Sequence, residues 1–511
     1  MRSRLRDAPV LVAGAGIMGA GIAQIAAQAG HHVYLYDVRD DAASAAKDRL
    51  ATTLDGLVVK GKLTGDAARS ALGNIEPVAT LEAAASAGLA VEAIVEALDA
   101  KRALFRRLED VMDDEAVLAT NTSSISVTAI ANGMRHPARA VGMHFFNPVP
   151  LMKLVEVVSG IETTPAVAGA VAELARQWGK TAVHARSTPG FIVNRIARPY
   201  YAETLALLQE NVTTPQALDA CFRAAGFRMG PCELMDLIGH DTNFAVTQSV
   251  YEANFFDKRY VPSLVQRELV DGGLLGRKSG HGFYRYPAGA PALLSAPNDA
   301  PDRTRRVVVH GRGSVADRLA DALATSSVTI AGRDLASAWV GLSVGEARLL
   351  QTDGRTASDV AGALAKGDVA VFDRLTPSPA GSPALAYAIA ESAGDGWRAQ
   401  APAWLELLGF TPVCIADAPG LVVARTTAML INEAADAVLQ SVCTREGADA
   451  AMKLGVNYPL GPFEWLDSWG ADGVIALLDA LDGHYRGERY RVSPWLRRER
   501  ARAGGGTATP R

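Results

Sequence analysis

Short apolar runs alternate with longer stretches of helical periodicity along roughly the first 190 residues of the chain. Each short run is rich in β-branched or small apolar residues, which predicts a buried strand. The longer segments between them place apolar residues three and four positions apart, which predicts helices. Strands are predicted at 9–13, 32–36, 89–95 and 117–119. Alternating strands and helices indicate an α/β domain built on a parallel sheet.

A glycine-rich turn, Gly14-Ala15-Gly16-Ile17-Met18-Gly19, joins the first strand to the first helix. The pattern alone is a weak signal, but here the whole strand, turn, helix and strand unit is present and the second strand ends in Asp37. Such a turn binds a pyrophosphate, so we predict a Rossmann-type domain with Gly14, Gly16, Ile17, Met18 and Gly19 at the cofactor. Asp37 would accept hydrogen bonds from the adenosine ribose and repel a 2′-phosphate, which favours NAD; the nearby Arg39 weakens this preference. FAD binding, or a turn that binds no cofactor, are lesser alternatives.

One carboxylate, Glu156, lies within the apolar segment 154–158. A buried and unpaired carboxylate costs several kcal/mol, so a partner is expected nearby. His144 is the obvious candidate, because it ends the preceding apolar run and the prolines after it let two strands lie side by side. The pair is either a structural contact or a general base held in one tautomer.

In open parallel sheets, ligands bind beyond the carboxyl ends of the strands. The glycine turn, Asp37, Glu96 and the loop 121–124 are therefore expected to face one crevice. Ser123 in that loop is either a helix cap or a hydrogen-bonding partner of a substrate.

A second domain is predicted to begin near Pro189, where a proline suits the first turn of a helix. The periodicity predicts a helix over about 191–209, with Asn194 near the domain junction and able to reach a cleft. The motif Pro189-Gly190-Phe191-Ile192-Val193 recurs as Pro419-Gly420-Leu421-Val422-Val423, and other residues recur at the same spacing of about 230. The helical domain is thus present twice. Asn194 is matched by Ala424, so only the first copy can use that amide.

Between the two copies, residues 306–416 resemble a shortened dinucleotide-binding fold. Its turn, Gly311-Arg312-Gly313-Ser314, lacks a third glycine at the required spacing. The predicted domains are 1–186 (NAD-binding), 187–287 (helical, copy 1), 288–305 (linker), 306–416 (degenerate Rossmann-like), 417–497 (helical, copy 2) and 498–511 (disordered tail).

Composition narrows the class of partner. The 511 residues are 49% hydrophobic and carry a net charge of −4 with no basic block, which argues against nucleic acid. No apolar run reaches about 18 residues, so no membrane segment is expected. The four cysteines have neither metal nor redox spacing, so we predict no metal and reduced thiols in the cytoplasm. A small molecule is the expected partner.

Together these motifs resemble the 3-hydroxyacyl-CoA dehydrogenase family, over roughly residues 9–286 and again in the repeat. The pattern is most similar to the 3-hydroxyadipyl-CoA dehydrogenases of phenylacetate breakdown, with 3-hydroxybutyryl-CoA dehydrogenases of short-chain fatty acid metabolism next. The resemblance implies NAD-dependent oxidation of a (3S)-3-hydroxyacyl-CoA to the 3-oxoacyl-CoA. A non-catalytic NAD-binding relative is the alternative from another class.

The resemblance also implies roles for individual residues. His144 would take the proton of the C3 hydroxyl, with Glu156 orienting its ring. Ser123 and Asn194 would hydrogen-bond the reacting oxygen. The remaining implied contacts are those of Glu96, Lys101 and Asn121 with the nicotinamide or its ribose, and of Lys60 and Lys62 with the CoA nucleotide. Single-copy relatives pair through their helical domain, so the chain is expected to be either a homodimer or a monomer with an internal pseudo-dimer.

Overall fold

A computed structural model of the protein describes residues 2–293, 298, 300–326, 328–375 and 382–504. The chain forms two compact units. The first comprises the described residues up to Arg195 together with Gln440–Val456. The second comprises the described residues of Ile196–Leu439 and those from Asn457 onward.

The first unit is built on an eight-stranded sheet. Its strands are β1 Val10–Ala13, β2 Val33–Tyr36, β3 Ile75–Val78, β4 Leu89–Glu92, β5 Val117–Thr120, β6 Ala140–Phe145, β7 Leu154–Ser159 and β8 Thr181–Arg186. They lie in the order β3-β2-β1-β4-β5-β6-β7-β8, and the first six are parallel. β7 is antiparallel to β6 and parallel to β8. The parallel part has the strand order of a doubly wound nucleotide-binding domain, which confirms the predicted fold class.

Helices cover both faces of this sheet. They are α1 Arg2–Asp7, α2 Ile17–Gln28, α3 Ala42–Val59, α4 Gly65–Gly73, α5 Leu98–Val111, α6 Val127–Ala131 and α7 Pro165–Gln177. Successive strand side chains point to opposite faces, so β1 contributes to two cores. Val10 and Val12 pack with residues of α2, α3 and α7, whereas Leu11 packs with Phe105 and Leu108 of α5.

The second unit contains a smaller, mixed sheet of seven strands. They are β9 Val307–His310, β10 Ile330–Asp334, β11 Gly341–Val344, β12 Ala347–Gln351, β13 Val369–Phe372, β14 Ala384–Ile389 and β15 Thr411–Cys414. The order is β10-β9-β11-β12-β13-β14-β15. The sequence predicts strands at 307–309, 328–330 and 369–372 of this sheet, whereas the β11–β12 hairpin, β14 and β15 were not predicted. Their short sequences, such as Ala347-Arg348-Leu349-Leu350-Gln351, fit a helix as well as a strand.

The remaining helices follow in chain order. They are α8 Val193–Ile196, α9 Arg198–Gln209, α10 Pro215–Ala224, α11 Pro231–Ile238, α12 His240–Ala253, α13 Leu264–Asp271, α14 Ser314–Thr325, α15 Ala357–Leu364, α16 Asp395–Leu407, α17 Val423–Leu439, α18 Arg445–Gly455, α19 Pro462–Trp469, α20 Ala471–Tyr485 and α21 Pro494–Gly504. Short 3-10 helices lie at Leu81–Ala84, Pro137–Arg139, Lys258–Tyr260, Arg277–Ser279 and Glu488–Tyr490. No described helix is both long and apolar enough to cross a membrane.

Several predicted boundaries need correction. The single helix expected over 191–209 breaks at Ala197 between α8 and α9, because Pro199 has no N–H to continue the helical ladder. The expected disordered tail, 498–511, begins within α21. Leu496 is buried there and Arg497 Nη2 lies 2.8 Å from Asp479 Oδ1, so this helix has both packing and an ion pair. Residues 505–511, and residues 294–297 and 299 of the expected linker, lie outside the described residues.

The two helical copies contact each other in a nearly symmetric way within the second unit. Glu203 of copy 1 accepts hydrogen bonds from Arg489 Nη2 (2.8 Å) and Tyr490 Oη (3.0 Å) of copy 2. Glu433 of copy 2 accepts one from Tyr260 Oη (2.5 Å) of copy 1, and Arg259 is 3.5 Å away. Reciprocal contacts of this kind are those of an isologous interface, here formed inside one chain.

The copies also differ in which sheet they cover. In the first unit, α18 of copy 2 packs against β7 and β8, where Gly455 lies so close to Leu154 and Val193 that a Cβ would be within 3.0 Å of each. In the second unit, the equivalent helix of copy 1, α10, packs against β14. Each sheet is therefore covered by the helix of the copy that belongs to the other half of the sequence.

Candidate active site

The glycine turn between β1 and α2 leaves space where a phosphate group would bind. At Gly14 (φ +110°) a Cβ would lie 2.4 Å from the carbonyl oxygen of Ala93, and at Gly19 one would lie 1.8 Å from that of Gly14. Both positions therefore require glycine. At Gly16 nothing lies within 4 Å of a Cβ, and no side chain caps this end of α2. Open space at an uncapped helix N-terminus fits the diphosphate of a dinucleotide.

Two apolar residues and one carboxylate border that space. Ile17 begins α2 with 80% of its surface exposed, and Met18 follows it. Asp37, directly after β2, accepts a hydrogen bond from the amide of Ala15 (2.8 Å). Burial opposes ionisation of Asp37, but its bonds with Arg39 and Ala15 outweigh burial and lower its pKa. An ionised carboxylate at this position fits an adenosine ribose and not a 2′-phosphate.

Glu96 holds the loop after β5 in place. One oxygen, Oε1, accepts hydrogen bonds from Thr122 Oγ1 (2.6 Å), the amide of Ser123 (3.0 Å) and the amide of Ser124 (3.2 Å). Burial opposes ionisation of Glu96, but the nearby Lys101 ammonium and the bond from Thr122 lower its pKa. The loop at 122–124 is thus fixed around one carboxylate.

Lys101 is buried between two carboxylates. Its Nζ lies 2.6 Å from Glu92 Oε1 and 3.1 Å from Glu96 Oε2. Glu92 in turn accepts a hydrogen bond from Thr120 Oγ1 (2.6 Å). Sequence reasoning missed Glu92 as a site residue, although a glutamate that interrupts an apolar strand was a usable signal. Lys101 is thus held by both carboxylates, and its predicted contact with the cofactor stays a prediction.

Asn121 connects two strands at the same edge of the sheet. Its Oδ1 accepts a hydrogen bond from the amide of Phe145 (2.8 Å), the last residue of β6. The contact fixes the end of β6, where His144 lies.

His144 and Glu156 are direct neighbours across β6 and β7. His144 Nδ1 lies 2.5 Å from Glu156 Oε2, with the imidazole 6% and the carboxylate 0% exposed. The rings of Phe146 and Phe191 lie 4.5 Å and 5.8 Å from the imidazole. The predicted pairing is therefore present, in an environment that is largely closed to water.

The other oxygen of Glu156 caps a helix. Oε1 accepts hydrogen bonds from the amides of Ile192 (3.0 Å) and Val193 (2.9 Å) at the start of α8. Gly190 and Phe191 before them both have positive φ, 76° and 47°, which turns these amides toward the carboxylate. The carboxylate is satisfied on both oxygens, which offsets the cost of burying it.

Asn194, the next residue of α8, lies beside the serine loop. Its Nδ2 is 3.5 Å from the carbonyl oxygen of Ser123, and Ser123 Oγ is 3.4 Å from Glu96 Oε1. The amide of Val193, in the same short helix, also donates to Glu156, which contacts His144. The structure thus brings together the predicted serine, asparagine, histidine and glutamate.

Lys60 and Lys62 stand apart from this cluster. Both are exposed in the turn between α3 and α4. No described contact connects them with the residues above. Among the described residues, no group of three histidine, cysteine, aspartate or glutamate side chains is arranged to hold a metal ion.

A contact with the second helical copy was not predicted. Arg195, at the end of the first unit, donates from Nη1 to Gln440 Oε1 (2.8 Å), and the amide of Arg186 donates to the carbonyl oxygen of Val442 (2.9 Å). These residues are about 250 positions apart in sequence, so no local signal pointed to the contact.

Comparison with known families accounts for most of the chain. The NAD-binding domain of 3-hydroxyacyl-CoA dehydrogenase matches residues 9–188, and its C-terminal domain matches 190–286 and again 420–508. The reduced Rossmann-fold domain of 3-hydroxybutyryl-CoA dehydrogenase matches 349–419. The second match of the C-terminal domain accords with the repeat found in the sequence.

Individual relatives show the same pattern. The chain is 42% identical to the 3-hydroxyadipyl-CoA dehydrogenase of Escherichia coli, over 96% of each chain. It is 43% identical to a probable 3-hydroxybutyryl-CoA dehydrogenase of Deinococcus radiodurans, over 54% of this chain and 99% of the relative. A crystal structure named 3-hydroxybutyryl-CoA dehydrogenase, from E. coli, is similar with a TM-score of 0.88 and 41% identity, over 98% of this chain and 99% of that one.

Proposed function

Because the chain belongs to the 3-hydroxyacyl-CoA dehydrogenase family, we propose that this NAD-dependent enzyme oxidises (3S)-3-hydroxyadipyl-CoA to 3-oxoadipyl-CoA in phenylacetate breakdown. The choice of the adipyl group rests on the near-full-length similarity to the E. coli 3-hydroxyadipyl-CoA dehydrogenase. The second candidate substrate is 3-hydroxybutyryl-CoA, which the name of the similar crystal structure favours.

We assign the role of general base to His144. Nδ1 donates its proton to Glu156, so Nε2 carries the free lone pair and accepts the proton of the C3 hydroxyl. A bound NAD would supply the acceptor for the hydride of C3. Glu156 orients the ring and stabilises the imidazolium, while the rings of Phe146 and Phe191 limit access of water to it.

Ser123 and Asn194 would position the reacting oxygen. Their neighbouring positions allow both to hydrogen-bond one oxygen atom. As the oxygen becomes a carbonyl, two fixed donors keep C3 in line for hydride transfer. Asn121 and Glu96 would contact the nicotinamide ribose, and Lys101 acts by holding Glu96.

The glycine turn and Asp37 would hold the diphosphate and the adenosine ribose of NAD. Gly14, Gly16, Ile17, Met18 and Gly19 form the turn. Exposed Lys60 and Lys62 would meet the phosphates of the CoA nucleotide. The redox step would then belong to the domain 1–186 together with Asn194 at the start of the helical domain 187–287. The degenerate domain 306–416 and the second copy 417–497 would take no part in the chemistry.

We propose that the two helical copies form the family's helical-domain pairing within one chain, as a pseudo-dimeric monomer. The reciprocal contacts of Glu203 and Glu433 support this, because an interface already made internally is not free for a second chain. A homodimer through other surfaces is the alternative, and light scattering over a dilution series separates the two. Four free thiols, three of them buried, support a reducing compartment such as the cytoplasm.

The test of the substrate is steady-state NADH formation from 3-hydroxyadipyl-CoA and 3-hydroxybutyryl-CoA. We expect kcat/KM to be about tenfold or more higher for the dicarboxylic substrate, because a pocket that pairs a terminal carboxylate discriminates strongly against a chain lacking it. A preference for the butyryl substrate would support the second candidate. No NADH from either, with the His144→Ala variant as the blank, would overturn both.

A further inference from the structure

A cavity of about 510 Å³ lies in the second unit, at one edge of the seven-stranded sheet. Its lining includes Ser314, Arg318, Gln351, Arg374, Trp465 and Trp469. Its volume is typical of small-molecule sites, which span roughly 300–1,000 Å³. None of these residues belongs to the site around His144.

The position of the cavity in the sheet is that of a ligand site. Ser314 begins the helix after β9, Gln351 ends β12 and Arg374 follows β13. These three strands run in the same direction, since β11 is antiparallel to both β9 and β12, and β12 is parallel to β13. The cavity therefore lies beyond strand carboxyl ends, where open α/β sheets bind ligands.

Arg374 gives the cavity a positive charge. Its guanidinium lies 4.3 Å from the centre of the Trp469 ring, and its Nε is shielded from solvent with no hydrogen-bond partner among the described residues. Burial lowers the pKa of Arg374 to about 10, although Asp373 opposes this. The carboxylate of Asp373 accepts hydrogen bonds from the amides of Val422, Val423 and Ala424. A buried guanidinium with an open donor is costly unless an acceptor reaches it.

Gln351 also lines the cavity. Its Nε2 is shielded from solvent and has no hydrogen-bond partner among the described residues. The N-terminus of α14 adds to this, because no side chain caps it and nothing lies within 4 Å of a Cβ at Gly313. All of these unmatched groups are donors, and no aspartate or glutamate is among the lining residues. The matching ligand group is an anion rich in acceptor oxygens.

The rest of the lining is apolar and includes flat surfaces. The indoles of Trp465 and Trp469 face the cavity together with Val315, Leu375 and Leu460. Indole faces favour a planar or apolar ligand body.

A whole dinucleotide does not fit this arrangement. The turn of the second unit lacks the third glycine of the first unit, and Arg312 within it donates from Nε to the carbonyl oxygen of Leu335 (2.7 Å), just after β10. The ring of His310 stacks on Trp339 nearby, with 4.1 Å between ring centres.

We propose that this cavity is a second ligand site, which binds a small organic anion consisting of one carboxylate or phosphate on a planar apolar body. The residues that recognise the anion are Arg374, Gln351 and the first turn of α14. The indoles of Trp465 and Trp469 hold the body. The site is separate from the residues proposed for the dehydrogenase reaction and lies beyond the carboxyl ends of strands in the degenerate domain.

Isothermal titration calorimetry on the full chain tests the site, with NAD present in excess to fill the first unit. The probes are adenosine 5′-monophosphate, which carries a phosphate, and 2-naphthoate, which carries a carboxylate. We expect at least one probe to bind once per chain, and the one that binds identifies the anionic group. Inorganic phosphate and acetate carry the anionic group without a planar body and serve as controls for recognition of that body. If they bind as tightly as the planar probes, recognition of a planar ligand is overturned.

Substitutions of cavity residues test where the probe binds. Arg374→Met should weaken the bound probe about tenfold or more through loss of the charge-assisted contact. The matched control, Arg305→Met, removes an exposed arginine before the opposite end of β9, outside the cavity, and should leave affinity unchanged. Should Arg374→Met fail to fold, Gln351→Leu serves instead, with an expected loss of about threefold to tenfold. Absence of binding by both probes, or wild-type affinity in a folded cavity variant, would overturn the proposal.

Discussion

The two copies of the Pro-Gly turn are built alike and used differently. In the first, Gly190 and Phe191 take positive φ and Glu156 accepts the amides of Ile192 and Val193. In the second, Gly420 and Leu421 take positive φ (71° and 53°), and Asp373 accepts the equivalent amides of Val422 and Val423, at 3.0 Å and 2.7 Å. In both copies, a carboxylate from an earlier part of the chain caps the helix that follows the Pro-Gly turn.

The difference lies in what else each carboxylate contacts. Glu156 has a second oxygen on His144, whereas the second oxygen of Asp373 accepts two more amides, those of Ala424 and Arg374. Ala424 also replaces the amide side chain of Asn194. The comparison teaches that the capping carboxylate is a structural device of the fold. In the first copy the same carboxylate also contacts a histidine, and an asparagine stands where the second copy has an alanine.

The strongest test of this difference removes the imidazole. We expect His144→Ala to lower kcat by ~10²-fold or more, because a positioned general base contributes about that much. NAD binding should be nearly unchanged, which equilibrium titration measures. His310→Ala is the matched control, because His310 also contacts a carboxylate, Asp334, but in the second unit. Similar losses in both variants would contradict the assignment.

Substitution of Glu156 should lower kcat, whereas substitution of Asp373 should not. Glu156→Gln is expected to lower kcat by roughly 10-fold to 100-fold, because the imidazolium loses its counter-charge. Asp373→Asn should leave kcat within about twofold. A steady-state assay of both variants decides, and an equal fall in kcat for Asp373→Asn would show that the two turns do not differ as stated.

Asp373 should also give the protein a pH dependence of stability. Burial raises the pKa of Asp373 from 3.8 to about 6, although the amide hydrogen bonds oppose this. The folded protein therefore holds this proton more tightly than the unfolded chain. Its stabilising contribution is full below about pH 4 and is lost as the pH rises to about 6, by roughly 3 kcal/mol. Denaturant unfolding across this range should show the slope in the wild type and not in Asp373→Asn.

Exchange of the asparagine and alanine positions should have a smaller effect. Asn194→Ala is expected to lower kcat/KM by about tenfold, through loss of one hydrogen bond to the reacting oxygen. The reverse change, Ala424→Asn, adds a polar group to a buried position and should lower the melting temperature without changing kcat/KM. Unchanged kinetics for Asn194→Ala would remove this residue from the site.

The smallest effect is expected at the two strand-end aspartates. Asp37→Asn should raise KM for NAD about threefold to tenfold, because the ribose loses a charged acceptor. Asp334, at the corresponding end of β10, is the control, and Asp334→Asn should leave KM for NAD unchanged. Initial rates at varied NAD concentration measure both.

The pairing of His144 with Glu156 could be predicted from the sequence, whereas the packing around it could not. A lone carboxylate in an apolar strand requires a partner, which led from Glu156 to His144. The pairing of Lys101 with Glu92 depends on the turn between β4 and α5, which brings residues nine positions apart together. The contact of α18 with β7 and β8 joins segments about 290 residues apart, and an amphipathic helix face does not indicate which sheet it will cover.

The exchange of covering helices affects how the protein responds to dilution. If α18 came from a separate polypeptide, the apolar surface around Leu154 and Val193 would be covered only above a certain protein concentration, according to mass action. A tether makes the same association intramolecular, with an effective concentration of about millimolar for short connections. Because the helical domain is duplicated within one chain, the sheet beside Glu156 stays covered by α18 whatever the concentration of enzyme in the cell.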